Sequence, residues 1–259
     1  MTTTDYQGGG FDLGRVVQRT FASISQNWLV FLVSAILLIG IPSVISGFGE
    51  GANIFTASSP LAVTAIVVGG LLALIGTYVL QGLVVFTTIN GLNGKPVDLS
   101  TALSAGLRFF FPLLGLGIVM GLGLTLGFIL LIVPGVILSI MWAVAAPVLV
   151  AEKRGIMESF QRSRDLTRGS RWMIFAIVVV YFIIAMILGM VIAGVGFAGT
   201  GSLGVGDAAS RASIGTLILT PIVNVATAVL SSAGVASIYY ELRTAKEGVS
   251  PDQLASAFD

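Results

Sequence analysis

The chain has 259 residues, 56% of them hydrophobic and 10% charged, where an ordinary soluble domain carries about 25% charged residues. That is too little charge to cover a soluble surface, so the bilayer is the expected solvent, and a net charge of +1 supplies no field that would recruit nucleic acid. The absence of cysteine and histidine excludes disulfides, thiolate metal sites, a thiol nucleophile and the commonest general base.

Residues 11–27 show helical periodicity. Leu13, Val17, Phe21, Ile24 and the following Trp28 share one face, with Arg15, Arg19, Ala22 and Gln26 opposite. The apolar run Trp28–Phe48 comes next. No basic residue precedes Arg15, and no small-residue cleavage site followed by a soluble domain closes the run, so it is expected to stay as a membrane helix.

Crossing the hydrocarbon takes about 20 apolar residues. Five further stretches qualify: Leu61–Thr88, Pro112–Leu131, Pro134–Val150, Trp172–Phe197 and Ile214–Tyr240. The third and fourth spans form one apolar run interrupted only at Val133-Pro134-Gly135. The run is too long for a single crossing, so a short hairpin is expected there. Residues 155–171 are expected to form a basic interfacial helix with Ile156, Phe160 and Thr167 on one face. The segments Gly47–Pro60 and Gly199–Ser213, rich in Gly, Ser and Ala, read as loops, and the tail 241–259 contains a capping-box-like start for a short helix over Pro251–Ala257.

The fold expected is therefore all-α: one integral membrane domain, a polytopic bundle of six transmembrane helices with interfacial amphipathic helices. Three amphipathic stretches, Phe11–Trp28, Val97–Phe111 and Gly155–Arg171, each lead into a pair of spans, so the chain reads as a threefold parallel repeat.

Twelve of the thirteen Lys and Arg residues fall on one side of these spans, and only Arg211 falls on the other. Both termini are thus expected in the cytoplasm, with the chain in a bacterial cytoplasmic membrane. Six of the twelve, Lys153, Arg154, Arg162, Arg164, Arg168 and Arg171, lie between the fourth and fifth spans.

Arg164, Arg168 and Arg171, spaced i, i+4, i+7, would share a helix face, and guanidinium groups suit phosphate. They are the candidate lipid-headgroup residues, although a basic loop that only sets topology would have the same composition. Glu158 and Asp165 are placed to neutralise part of this charge through Arg162 or Arg168. Gly117 and Gly121, and Gly123 with Gly127, have the spacing that lets helices approach closely. Asn224, Ala228, Ser232, Ala236 and Tyr240 form a small, polar stripe on the sixth span, and Gln81 is a polar residue within the second. These suit either helix packing or a polar path.

No Asp, Glu, Lys, Arg or His falls inside the six predicted spans. Ion-coupled transport and intramembrane hydrolysis normally need such groups, so no catalytic, cofactor-binding or metal residue is assigned.

The order VPGVIL, Trp142, AAPVLV, then ESFQRSRDLTRGSRWMIF and a closing YYELRTAKEG resembles the glycerophosphoryl diester phosphodiesterase membrane-domain family and related polytopic bacterial membrane proteins of unknown function over roughly Val97–Gly248. The resemblance implies a polytopic bundle associated with phospholipid or envelope metabolism. It does not carry over phosphodiesterase activity, whose catalytic domain uses histidine and acidic metal ligands. The function expected is a non-enzymatic membrane protein without cofactor that engages membrane phospholipids as a scaffold or accessory. A transporter or exporter of a small or amphiphilic substrate is the alternative. Either a membrane-protein partner or a homo-oligomer is compatible with both.

Overall fold

Asp12 starts the first helix. Its carboxylate accepts hydrogen bonds from the backbone N–H groups of Gly14 (2.7 Å) and Arg15 (3.2 Å), donors that a helix N-terminus otherwise leaves unpaired. In the computed structural model, which describes residues 11–47, 59–199 and 214–248, α1 then runs over Leu13–Gln26. Its apolar stripe faces outward. Val17 and Phe21 are exposed, whereas Val16, Thr20 and Ser23 are buried. With lipid as solvent, an aliphatic stripe gains nothing by turning inward, while small residues allow close approach.

The first span is one continuous rod made of α2 (Trp28–Ala35), a π-helical turn (Ile36–Gly40) and α3 (Ile41–Gly47). Pro42 has no N–H for the carbonyl of Leu38, and its ring would crowd that carbonyl in a regular helix. The wider turn just before it relieves both.

The second span, α4 (Pro60–Leu92), has Pro60 at its first position and Ser59 as cap, accepting from the Ala62 N–H at 3.2 Å. Ser23 of α1 donates to the Thr88 hydroxyl of α4 at 3.1 Å.

The third span differs from expectation. Val97–Phe111 and Pro112–Leu131 merge into one helix, α5 (Leu99–Leu130), with Pro112 inside it. A break in hydrocarbon would strand several backbone groups, whereas a proline within the helix frees only the carbonyl of Arg108. At ~1.5 Å per residue, the 32 residues of α5 reach about 48 Å, beyond a hydrocarbon core of about 30 Å. Its capped N-terminal turns therefore extend past the apolar layer.

The hairpin turn is a single extended residue, Leu131 (φ −168°, ψ 152°), slightly earlier than expected. Pro134 falls in the first turn of α6 (Ile132–Met141), where its missing N–H costs no helix bond.

The fourth span, expected unbroken over Pro134–Val150, is interrupted at Trp142–Val144 and resumes as α7 (Ala145–Glu152). The reason lies in α8 (Ile156–Thr167), whose Phe160 ring packs on Trp142 at 4.7 Å and whose Ser163 hydroxyl donates to the Met141 carbonyl at 2.8 Å. The break thus has a ring partner and a replacement donor.

The fifth and sixth spans lie in α9 (Arg171–Gly199) and α10 (Ile214–Glu247). α10 continues past Tyr240 and takes in the first seven residues of the expected tail. Among the described residues, six helical stretches are thus long and apolar enough to cross a membrane. The two expected loops, apart from their edges, and the helix expected at Pro251–Ala257 lie outside the described residues.

Ala145–Ala151 of α7 are all buried. They sit in a cluster with Val85 and Ile89 of α4, Phe109 and Leu113 of α5, Phe160 of α8, and Tyr239 and Leu242 of α10. A second cluster joins Phe31, Ala35 and Ile39 of the first span to Leu83 and Val84 of α4 and Val229 and Ala233 of α10. Of the α9 residues whose burial is described, in contrast, Ile174 alone is buried.

Candidate functional site

Ion pairs gather the ends of several helices at one end of the bundle. Glu241 of α10, only 2% exposed, accepts from Arg15 (2.7 Å) and from Arg19, both on α1. The Arg19 guanidinium also lies over the Tyr240 ring, 4.9 Å from its centroid. Glu152, at the end of α7, accepts from Arg154 (2.6 Å), Arg162 (3.0 Å) and the Tyr239 hydroxyl (3.2 Å). Glu247 accepts from Arg162 and from Arg243 (3.0 Å).

Burial disfavours the charge on Arg162, but the hydrogen bonds it donates to Glu247 and Glu152 outweigh this and raise its pKa above the ordinary guanidinium value. Arg15 is likewise raised, chiefly by its hydrogen bond to Glu241. Arg15, Arg19 and Arg162 therefore join helices, whereas Arg154 and Arg243 pair with carboxylates two and four residues away.

Arg164, Arg168 and Arg171 form no ion pair among the described residues. The route that brings them together is not the one expected. α8 stops at Thr167, Arg168 is extended (φ −61°, ψ 126°), Gly169 takes a left-handed φ of 92°, and Arg171 opens α9. Glycine suits Gly169 because a Cβ disfavours that conformation. The turn is tied by the Ser170 N–H to the Thr167 carbonyl at 3.1 Å. So a turn, rather than one continuous helix face, places the three guanidinium groups around a pocket of about 540 Å³, with Gln161 and Asp165 completing its lining.

α8 orients this site through its other side. Ser159, Phe160, Ser163, Leu166 and Thr167 are buried, which turns Gln161, Arg164, Asp165 and Arg168 outward. Lys246 of α10 donates to the main-chain oxygens of Asp165 (2.6 Å) and Arg168 (2.5 Å), placing a cation where the carbonyls at the end of α8 lack helix partners. The Nε of Arg171 is buried and has no hydrogen-bond partner among the described residues. Trp172, 84% exposed, stands next to it. Glu158 and Asp165 do not neutralise Arg162 or Arg168. Arg162 is instead taken by Glu152 and Glu247.

The remaining predicted residues lie apart. Gly117 faces the Tyr78 side chain of α4, whereas a Cβ on Gly121 would meet nothing within 4 Å, so the chain's own packing does not use that glycine. Gly123 abuts the Trp142 ring, and Gly127 lies against Gly135 and Leu138 in the α5–α6 hairpin. Gln81 is half-buried on α4. On α10 the stripe grades from exposed Asn224 through half-buried Ser232 to buried Ala236 and Tyr240. The Asn224 amide is 3.5 Å from the Ser43 hydroxyl.

Sequence reasoning missed Glu152, Tyr239, Glu241 and Glu247. The readable signal was the position of carboxylates directly at the ends of the long apolar runs, AAPVLVAE and SIYYE, where a solvated basic residue would be the ordinary choice.

No curated protein and no solved structure matches the chain. The model of the uncharacterised protein family UPF0259 matches residues 58–204, more than half of the 259 residues and a stretch that takes in α4 to α9. The chain is a multi-span membrane protein that belongs to the UPF0259 family.

Proposed function

We propose that this chain is a non-enzymatic membrane protein that binds anionic phospholipid headgroups at its charged end and acts as a scaffold or accessory in envelope-lipid processes. The observation that carries this reading is the division of labour among the arginines. Five are matched to Glu152, Glu241 and Glu247, while Arg164, Arg168 and Arg171 surround an open pocket, with the buried Nε of Arg171 lacking an acceptor. A phosphate oxygen supplies that acceptor. Basic residues at an anionic surface contribute about 1 kcal/mol each.

The lopsided distribution of Lys and Arg supports a cytoplasmic charged end and a bacterial cytoplasmic membrane. The likeness of the Val133–Trp172 run to glycerophosphoryl diester phosphodiesterase membrane domains agrees with a lipid setting. Transport has less support. A cavity of about 780 Å³ between the first span and α10 is lined by apolar side chains such as Phe31, Ile36, Val225 and Leu230.

Native mass spectrometry of purified protein with its co-isolated lipids tests this. The Arg164→Gln, Arg168→Gln, Arg171→Gln triple variant is expected to insert normally yet retain less anionic lipid. Equal retention by the two proteins would reduce these residues to topology determinants.

A further inference from the structure

We propose that the pocket between α8 and α9 selects a phosphodiester headgroup carrying free hydroxyls, with Arg164, Arg168 and Arg171 on the phosphate and Asp165 and Gln161 on the hydroxyls. This rests on the lipid-binding reading above and names the class of headgroup for the same site.

The key residue is Asp165. It lines the pocket beside three guanidinium groups but forms an ion pair with none of them, nor with any other described residue. Lys246 takes its main-chain oxygen at 2.6 Å and also attracts the carboxylate electrostatically, but no described donor hydrogen-bonds the carboxylate oxygens. An ionised carboxylate only accepts hydrogen bonds, so the pocket holds three donors of positive charge and one acceptor that needs a donor of its own. A fully ionised phosphate monoester would bring more negative charge to Asp165 and no donor for it.

An ammonium headgroup would satisfy Asp165, but it would enter a site where three arginines outnumber one carboxylate and Lys246 stands behind the same turn. A hydroxyl is the neutral donor that escapes both conflicts, and the Gln161 amide can pair with either of its sides. The volume of about 540 Å³ leaves room for a headgroup larger than phosphate. The exposed Trp172 indole beside Arg171 suits the headgroup depth of a bilayer.

The test is native mass spectrometry of the full chain in detergent with equimolar phosphatidylglycerol, phosphatidic acid, phosphatidylethanolamine and phosphatidylcholine of identical acyl chains. The wild type is expected to retain phosphatidylglycerol about tenfold over phosphatidic acid, the scale of one hydrogen bond to a charged group. Asp165→Asn should bring the two within about twofold while still preferring both to phosphatidylcholine.

Phosphatidic acid held as well as phosphatidylglycerol by the wild type, or an unchanged ratio in a folded Asp165→Asn variant, overturns the proposal and leaves anionic-lipid binding standing. No retention of either anionic lipid above phosphatidylcholine overturns both readings. The wild-type ranking decides even if the variant fails to fold. Excess water-soluble glycerophosphoglycerol separates the two sources of this chemistry. Displacement of the lipid assigns the site to the free diester, and persistence assigns it to the membrane-borne headgroup, each with the hydroxyl-bearing phosphodiester upheld.

Discussion

The carbonyl oxygen of Leu38 occupies the place where a side chain on Gly76 would begin. Pro42, four residues after Leu38, denies that carbonyl its regular helix partner, and the hydrogen-only face of Gly76 lets α4 come up against it. Two helical turns away, a Cβ on Gly69 would lie 2.6 Å from the Ser46 nitrogen and 3.0 Å from the Pro42 carbonyl oxygen. Hydrocarbon tails solvate leucine as well as another leucine does, so such close backbone approach is a main source of attraction between these two spans.

Gly76→Ala is therefore expected to lower thermal stability in detergent by about 2 kcal/mol, because backbone, unlike a flexible side chain, must move to admit the methyl. Gly70, next to Gly69 but with nothing within 4 Å of its Cβ position, is the control. Gly70→Ala should be neutral or stabilising by up to about 1 kcal/mol. Equal melting temperatures for the two variants would remove the close crossing from the account of stability.

Glu241→Gln should loosen α1. The substitution leaves Arg15 and Arg19 beside a neutral amide that cannot balance them. Thermal unfolding is expected about 5 °C lower, with faster proteolysis within α1. Adding Arg15→Gln and Arg19→Gln should recover part of the loss, since no uncompensated charge then remains. Protease resistance that stays at the wild-type level in Glu241→Gln would show that apolar packing alone holds α1.

Ser163→Ala removes the hydroxyl that donates to the Met141 carbonyl at the break between α6 and α7. A loss of about 1–2 kcal/mol is expected, the scale of leaving a buried carbonyl unsatisfied. Ser163→Thr, which keeps a hydroxyl, should lose less. Hydrogen exchange at Trp142–Val144 provides the local readout, and protection unchanged in the alanine variant would count against this role.

Asp98 gives the stability a pH dependence. Hydrogen bonds from the hydroxyls of Ser100 and Thr101, followed by the Thr101 backbone N–H, hold its pKa below the usual value of 3.8. A carboxyl depressed in the folded state stabilises above its unfolded pKa and loses that contribution as pH falls through the folded value. Wild type should therefore exceed Asp98→Ala in melting temperature at pH 7, with the gap narrowing once pH falls below 3.8 and closing fully only below the depressed folded value. A gap constant down to pH 2.5 would mean the cap works without its charge.

Spans and grouping were legible because hydropathy and charge are written along the chain. Trp28, Pro60 and Arg171 each stand within a residue of an expected boundary. The packing surfaces were not. Gly121 and Gly76 look alike in sequence, and only the helix opposite separates open space from the Leu38 carbonyl. The break at Trp142 was hidden for the same reason, since its causes, Phe160 and Ser163, lie a helix away. Arg164, Arg168 and Arg171 were picked out by spacing, yet the turn at Gly169 gathers them, because helix periodicity gives no warning of where a helix stops.

The pairing of α1 with α10 also sets a clock on assembly. Glu241 is encoded 226 residues after Arg15 and 222 after Arg19. At synthesis rates of about 5–20 residues per second, roughly 10–45 seconds separate the emergence of those arginines from that of their partner. Throughout that interval α1 has its charge but not its dock. Its hydroxyl partner Thr88 on α4 comes only 65 residues after Ser23, so the apolar and hydroxyl contacts of α1 are on hand long before its carboxylate. The arrival of Glu241 then closes the bundle by joining one of the earliest helices made to the latest of those described.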